Sequence, residues 1–285
     1  PIWLPLFLAY AFFHIWIKYV RSEFIKKQGH VLLEIRLPKE ITKSPAAMEI
    51  FFTSLFQTGA ASYGETFLSG KVRPWFSFEL VSLDGQVKFF VWTLEKFKNY
   101  LQAQLYAQHS NLEIHELETD YAEMMHYDPE KIGLWGTYFR LTSPDPLPIK
   151  TYVDYGLEKP TEEEYIIDPM TSVLEYLGSM KKGEQVWIQI MIQAYKTEGL
   201  QEGKWALPFR KKKDVLKEET LKMIKDIRDT AEPKEEGGYP RLLTKGEQDK
   251  IAAIERSMAK FPFEVMIRGF YIASKESFNP IGITG

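Results

Sequence analysis

Arg210-Lys211-Lys212-Lys213 is the one run of this 285-residue chain whose residue types declare a chemistry, four adjacent cations able to meet phosphates. Those phosphates could belong to nucleic acid or to an anionic membrane, and each contact would weaken with salt. The segment behind it alternates acids and bases, with Glu218 four residues ahead of Lys222, which is the pattern of a solvated helix face. His109, His115 and His126 lie near Glu113 and Glu116, yet none of these histidines has the i, i+4 spacing of a helical zinc site. Glu162-Glu163-Glu164 falls in a polar stretch with no basic partner beside it. Gly178-Ser179-Met180-Lys181-Lys182-Gly183 lacks the spacing of a phosphate loop and reads as a helix stop. No Gly-x-Ser-x-Gly turn is present. Absence of cysteine removes disulfides, thiol catalysis and cysteine-based metal sites. A net charge of -3 provides no global field for nucleic acid. The expectation is a protein without catalytic residues, metal or cofactor, meeting nucleic acid only weakly or indirectly.

What places any such surface is the amino terminus. Residues 2–17 carry no charge, and His14 is their one strongly polar residue. An apolar helix of about 20 residues rises ~30 Å, the thickness of a bilayer's hydrocarbon core. Trp3, Trp16 and Tyr19 stand near the ends of the run, where aromatic rings favour the lipid–water boundary, and His14 marks the approach to the headgroups. Lys18, Arg21, Lys26 and Lys27 follow. A secretory signal would place its charges in front and a small-residue cleavage site behind. Residues 1–27 therefore read as a transmembrane helix with a basic flank, and the flank puts the bulk of the chain in the cytoplasm. The opening residue is Pro1 rather than methionine, so a longer protein is expected.

Beyond residue 30 strands and helices alternate. Val31, Leu33, Ile35 and Leu37 line one side of a strand, and Ser44-Pro45 opens a helix with Met48, Phe51, Phe52 and Leu55 on one stripe. A loop over 59–70 leads to a hairpin, 76–80 and 87–91, turning at Asp84-Gly85. Thr93 would cap a helix with Leu94, Phe97, Leu101 and Leu105, and 111–117 closes as a strand. This is βαββαβ, the split-βαβ or ferredoxin-like order. Such sheets can bind RNA, but 86–92 lacks the glycine and the spacing of that motif, which leaves Phe90 and Trp92 as an outward interaction surface, for example against the second unit. After a connector at 120–132, strands are expected at 137–141, 149–153, 186–194 and 263–267. The helices of this part start at Asp168-Pro169 and at the capping box Thr244-Lys245-Gly246-Glu247. The fold class is thus α+β, with an N-terminal transmembrane helix and two ferredoxin-like sandwiches. Their bounds are 28–122 and 133–285, the second interrupted by a charged helical insertion at 196–243.

The order of these parts resembles a known group. One membrane helix, then Leu33-Glu34-Ile35-Arg36-Leu37-Pro38-Lys39-Glu40, a helix and a hairpin, Leu112-Glu113-Ile114-His115-Glu116-Leu117, and a closing Ile267-Arg268-Gly269-Phe270-Tyr271 resemble the amino-terminal region of large membrane proteins of candidate-phylum bacteria. Those proteins look like relatives of type IV secretion and conjugation machinery, where α/β domains accompany an FtsK-like or coupling-protein ATPase. The resemblance implies a membrane-anchored assembly region on the cytoplasmic side, partnered by lipid and by a second copy or an ATPase. The alternative of another class is an extracytoplasmic scaffold or sensor that binds an envelope partner or ligand.

Overall fold

The computed structural model describes residues 3–38, 44–57, 59, 61–157, 170–195, 214–230 and 241–283. Helix α1, Trp3–Lys27, has no polar stripe. Two residues later the chain enters β1, His30–Arg36. Helix α2, Ala46–Ser54, begins one residue beyond the expected Ser44-Pro45, and the Ser44 hydroxyl accepts the Ala46 amide. The stretch expected as a plain loop contains α3, Tyr63–Leu68, started by a capping box between Ser62 and Glu65. Strands β2, Trp75–Leu83, and β3, Gln86–Leu94, form the hairpin. Its turn puts Asp84 and Gly85 at φ 54° and 83°. A Cβ on Gly85 would lie 2.5 Å from the Met180 carbonyl oxygen, so glycine is required there twice over. Thr93 does not cap a helix as expected: it lies within β3, fully buried and opposite Val31, and α4, Lys98–Gln108, starts after a 3-10 turn at Glu95–Phe97.

Strand β4, Glu113–Leu117, precedes the short helix α5, Tyr121–Met124, whose first turn is capped by Asp120. Strand β5 runs over Ile132–Phe139, earlier than expected, and the expected strand at 149–153 is a series of turns. Asp168-Pro169 lies outside the described residues, and the helix it would open appears as α6, Thr171–Gly178. Strand β6, Glu184–Ala194, helices α7, Val215–Asp229, and α8, Lys245–Met258, and strand β7, Phe263–Ser274, follow, and a 3-10 turn at Pro280–Ile283 is the last described element.

A second, separate sandwich is not what the later strands build. All seven strands form one antiparallel sheet in the order β4-β1-β3-β2-β6-β7-β5. In its first half β3 lies between β1 and β2, and β1 lies between β3 and β4, so each helical crossover straddles a strand of the other, as a split βαβ unit requires. In place of an edge, β2 pairs along its whole length with β6, from Trp75 opposite Gln193 to Leu83 opposite Gln185. Strand β5 then pairs with β7, from Ile132 opposite Ser274 to Phe139 opposite Ile267.

The chain divides into two compact units, one of residues 1–139, 160–194 and 264–285, the other of 140–159 and 195–263. In the first, one side of the sheet takes α2 and α6. Phe51 and Phe52 meet Phe78 edge-on, and the Ser82 hydroxyl donates to the Leu177 carbonyl at 2.6 Å. The other side gathers Leu32, Val81, Phe90, Trp187 and Ile272 around Tyr121 of α5. In the second unit α7 and α8 bury Ile224, Ile251 and Ile254 together, with Leu147 of the proline-rich loop against them. The expected capping box of α8 forms in full, Thr244 and Glu247 exchanging bonds at 2.8 to 3.3 Å.

Candidate functional site

The expected membrane anchors, Trp3, Trp16, Lys18, Tyr19, Arg21, Lys26 and Lys27, all fall on α1. The helix shows aromatic and aliphatic side chains on every side: Trp3, Phe12 and Ile15 are each 66 % exposed. Of its most apolar 18-residue stretch only 6 % is buried. It is long and apolar enough to cross a membrane, a length and composition that a signal sequence shares. Tyr10 stacks on His14, and Phe12 on Trp16, one turn apart.

Its second half is held by the protein. The Phe13 ring packs 4.9 Å from Phe67 of α3, and the Trp16 indole donates to the Phe67 carbonyl at 2.8 Å. Val20 is buried, and Gly70, at φ +66°, lets the chain press so close that a Cβ would sit 2.2 Å from the Val20 carbonyl oxygen. Glu65 accepts from Lys71 and from the Ser62 amide, and these bonds hold its carboxyl down to about 2. The signal for α3 was present in the sequence, since Ser62 and Glu65 stand at capping-box spacing.

The side of the sheet covered by α5 carries a chain of buried polar groups. Tyr121 donates its hydroxyl to Glu79, which also accepts from Ser77 at 2.6 Å. Gln189 donates to the Tyr121 oxygen at 2.6 Å, and Arg268 Nε donates to the Gln189 carbonyl oxygen at 2.6 Å. Burial and the neighbouring Glu79 charge push the Tyr121 phenol far above its ordinary value near 10. The chain thus links four elements, β2, α5, β6 and β7. The group locks the centre of the sheet and offers no exposed nucleophile or base. Glu34, also buried, lies 3.6 Å from Lys88 and 3.5 Å from Arg36.

Phe90 does not reach solvent; it packs in one cluster with Trp187 and Ile272 of the later strands, the kind of contact expected for an interaction surface against that part of the chain. It is buried and stacks 5.2 Å from Tyr121. Trp92 is half-buried between His30 at 5.3 Å and Trp75 at 5.4 Å, so it forms the middle of an aromatic stack. The three histidines are not brought together: His109 caps the end of α4, His115 sits beside Glu113 on β4, and His126 follows α5 beside the Met124 carbonyl. Among the described residues no three His, Cys, Asp or Glu side chains gather as a metal site. Arg210, Lys211, Lys212, Lys213 and Glu162-Glu163-Glu164 lie outside the described residues. A groove of about 420 Å³ in the second unit is lined by Leu141, Leu147, Pro148 and Ile149, with Lys250 and Ala253 of α8 opposite. Its other lining side chains are the hydroxyls of Thr142 and Ser143.

These features define an α+β protein with one seven-stranded antiparallel sheet and an apolar N-terminal helix. The chain belongs to the family described as a domain of unknown function, DUF8128, whose model matches residues 19–280. No curated protein and no solved structure matches it.

Proposed function

We propose that this chain is a membrane-anchored, non-catalytic assembly region. In this reading α1 crosses the bilayer, Trp16 and Tyr19 mark one interface, and Lys18, Arg21, Lys26 and Lys27 lie among cytoplasmic headgroups. The observation that carries it is α1 itself, 25 residues long and apolar on all sides, with almost none of that surface covered. A core helix would be buried, and a soluble surface helix would show a polar stripe. The sheet is the platform it holds, by a link of only Gln28 and Gly29. The likeness of element order to secretion and conjugation components supports a role in holding or oligomerising a protein- or DNA-translocating ATPase.

Alkaline carbonate extraction of membranes tests the anchor, with the full chain expected in the pellet. Recovery in the supernatant would refute it. Orientation is tested with Ser110→Cys, at an exposed position in a chain that has no other cysteine. In intact cells the thiol should be shielded from a membrane-impermeant maleimide. Labelling there would favour the extracytoplasmic scaffold instead.

A further inference from the structure

We propose that α3 is a second membrane-contacting element, a short helix that enters the lipid interface beside α1 with Phe67 and Leu68 leading. The inference rests on the reading of α1 as a membrane span. Lys18 is the first charge of α1, and with Trp16 and Tyr19 around it that residue marks the level of the headgroups. The structure holds Phe67, near the end of α3, on the lipid side of that level. Phe67 packs 4.9 Å from Phe13, and Phe13 precedes Lys18 by five residues, a drop of about 7 Å along a helix axis. Amphipathic interfacial segments bury their apolar side to a depth of roughly 5–10 Å.

The backbone of α3 is prepared for that depth. The last carbonyls of a helix have no partner within it, and in hydrocarbon there is no water to serve them. Trp16 supplies the missing donor to the Phe67 carbonyl at 2.8 Å. The one acid of α3, Glu65, is held by Lys71 at 2.9 Å and by the Ser62 amide at 2.8 Å, so it brings no unpaired charge towards lipid. Leu68 remains 78 % exposed at the end of the helix. Through Phe67 and Phe13 this apolar end adjoins the open side of α1, where Phe12 is 66 % exposed. A surface continuous with a membrane span is covered by the same bilayer, so lipid is its occupant.

The test uses the full chain in vesicles of phosphatidylcholine and phosphatidylglycerol. Because the sequence lacks cysteine, an environment-sensitive dye can be placed singly at Leu68→Cys, at Phe7→Cys in α1, and at Ser110→Cys as the aqueous reference. Blue-shifted emission at positions 68 and 7, several-fold less iodide quenching than at 110, and quenching by brominated lipid at both are expected. Protection at 7 with aqueous behaviour at 68 would overturn the role of α3 and leave the anchor standing. Protection at 68 without quenching by brominated lipid would show a protein contact and also overturn it. Aqueous behaviour at 7 would remove the membrane reading, and the proposal for α3 with it.

Discussion

Tyr121→Phe isolates the buried polar chain at the centre of the sheet. The substitution keeps the ring that stacks on Phe90 and meets Trp187, and removes only the hydroxyl. Glu79 then keeps its bond from Ser77 but loses the phenol, and Gln189 loses the acceptor of its amide while still receiving Arg268. Two buried polar atoms, the second Glu79 carboxylate oxygen and the Gln189 amide nitrogen, lose their partner, at a cost of about 3 kcal/mol together. For a domain of this size that is roughly 6–12 °C in melting temperature. Alkali gives a second, independent signature. The Tyr121 phenol is raised in the folded protein, so above pH 10 the unfolded chain releases a proton that the folded chain retains. Its contribution is complete below pH 10 and falls as pH rises, by about 1.4 kcal/mol per pH unit. Between pH 10 and 11 the stability gap between the two proteins should therefore narrow by about 1 kcal/mol. Urea unfolding of the detergent-solubilised chain, followed by circular dichroism at several pH values, measures both. A loss below about 0.5 kcal/mol, with parallel alkaline slopes for the two proteins, would refute the hydrogen-bonded arrangement.

Other outcomes follow from the same geometry. Gly70→Ala forces a Cβ into the Val20 carbonyl at a positive φ and should destabilise by more than about 1 kcal/mol, with a shift in Trp16 emission as α1 and α3 separate; an unchanged melt and spectrum would sink it. Thr244→Ala removes the cap of α8 and should cost about 1 kcal/mol, seen as faster amide exchange in its first turn. Acid should loosen the same turn. Arg241 and the Thr244 bonds hold the Glu247 carboxyl well below the ordinary carboxylate range, so its support is present above pH 4.5 and is lost as pH falls further, which exchange at low pH reads directly. Replacing Arg210, Lys211, Lys212 and Lys213 by alanine should abolish whatever salt-dependent binding the chain shows to anionic vesicles or DNA, and binding that persists unchanged would acquit the cluster.

The local elements were legible because their signals are local. Alternation in 31–37 and 186–194, the Asp84-Gly85 turn and the Thr244–Glu247 box each depend on neighbours within a few residues, and each formed where it was expected. Thr93 misled because a residue with good capping chemistry can equally lie within a strand, and here burial decided for the strand. The 149–153 segment has β-forming residues but lies in turns; Thr151 bonds Asp154 through both its amide and its hydroxyl, a local alternative to a ladder. The polar chain was harder to see. Ser77 and Glu79 alternate with Phe76 and Phe78 as a solvent-facing side would, and only α5, Gln189 and Arg268 reveal that side as interior.

The continuity of the sheet depends on pairing between segments about 110 residues apart, and alternation cannot report a partner. Yet a trace of it is present in β2. A strand at the edge of a half-covered sheet needs charge or proline to deter pairing, and β4, with Glu113, His115 and Glu116 exposed, has that protection. In β2, Phe76, Ser77, Leu80, Val81 and Ser82 are buried from both sides, and its sole charge, Glu79, is committed to Tyr121 and Ser77. Such a strand has nothing with which to guard an edge, so it can only be central. The extension by β6 is therefore a consequence of what β2 lacks. The strand at which two separate sheets would have parted is thus paired on both sides, with β3 and with β6, and the sheet runs on without a break.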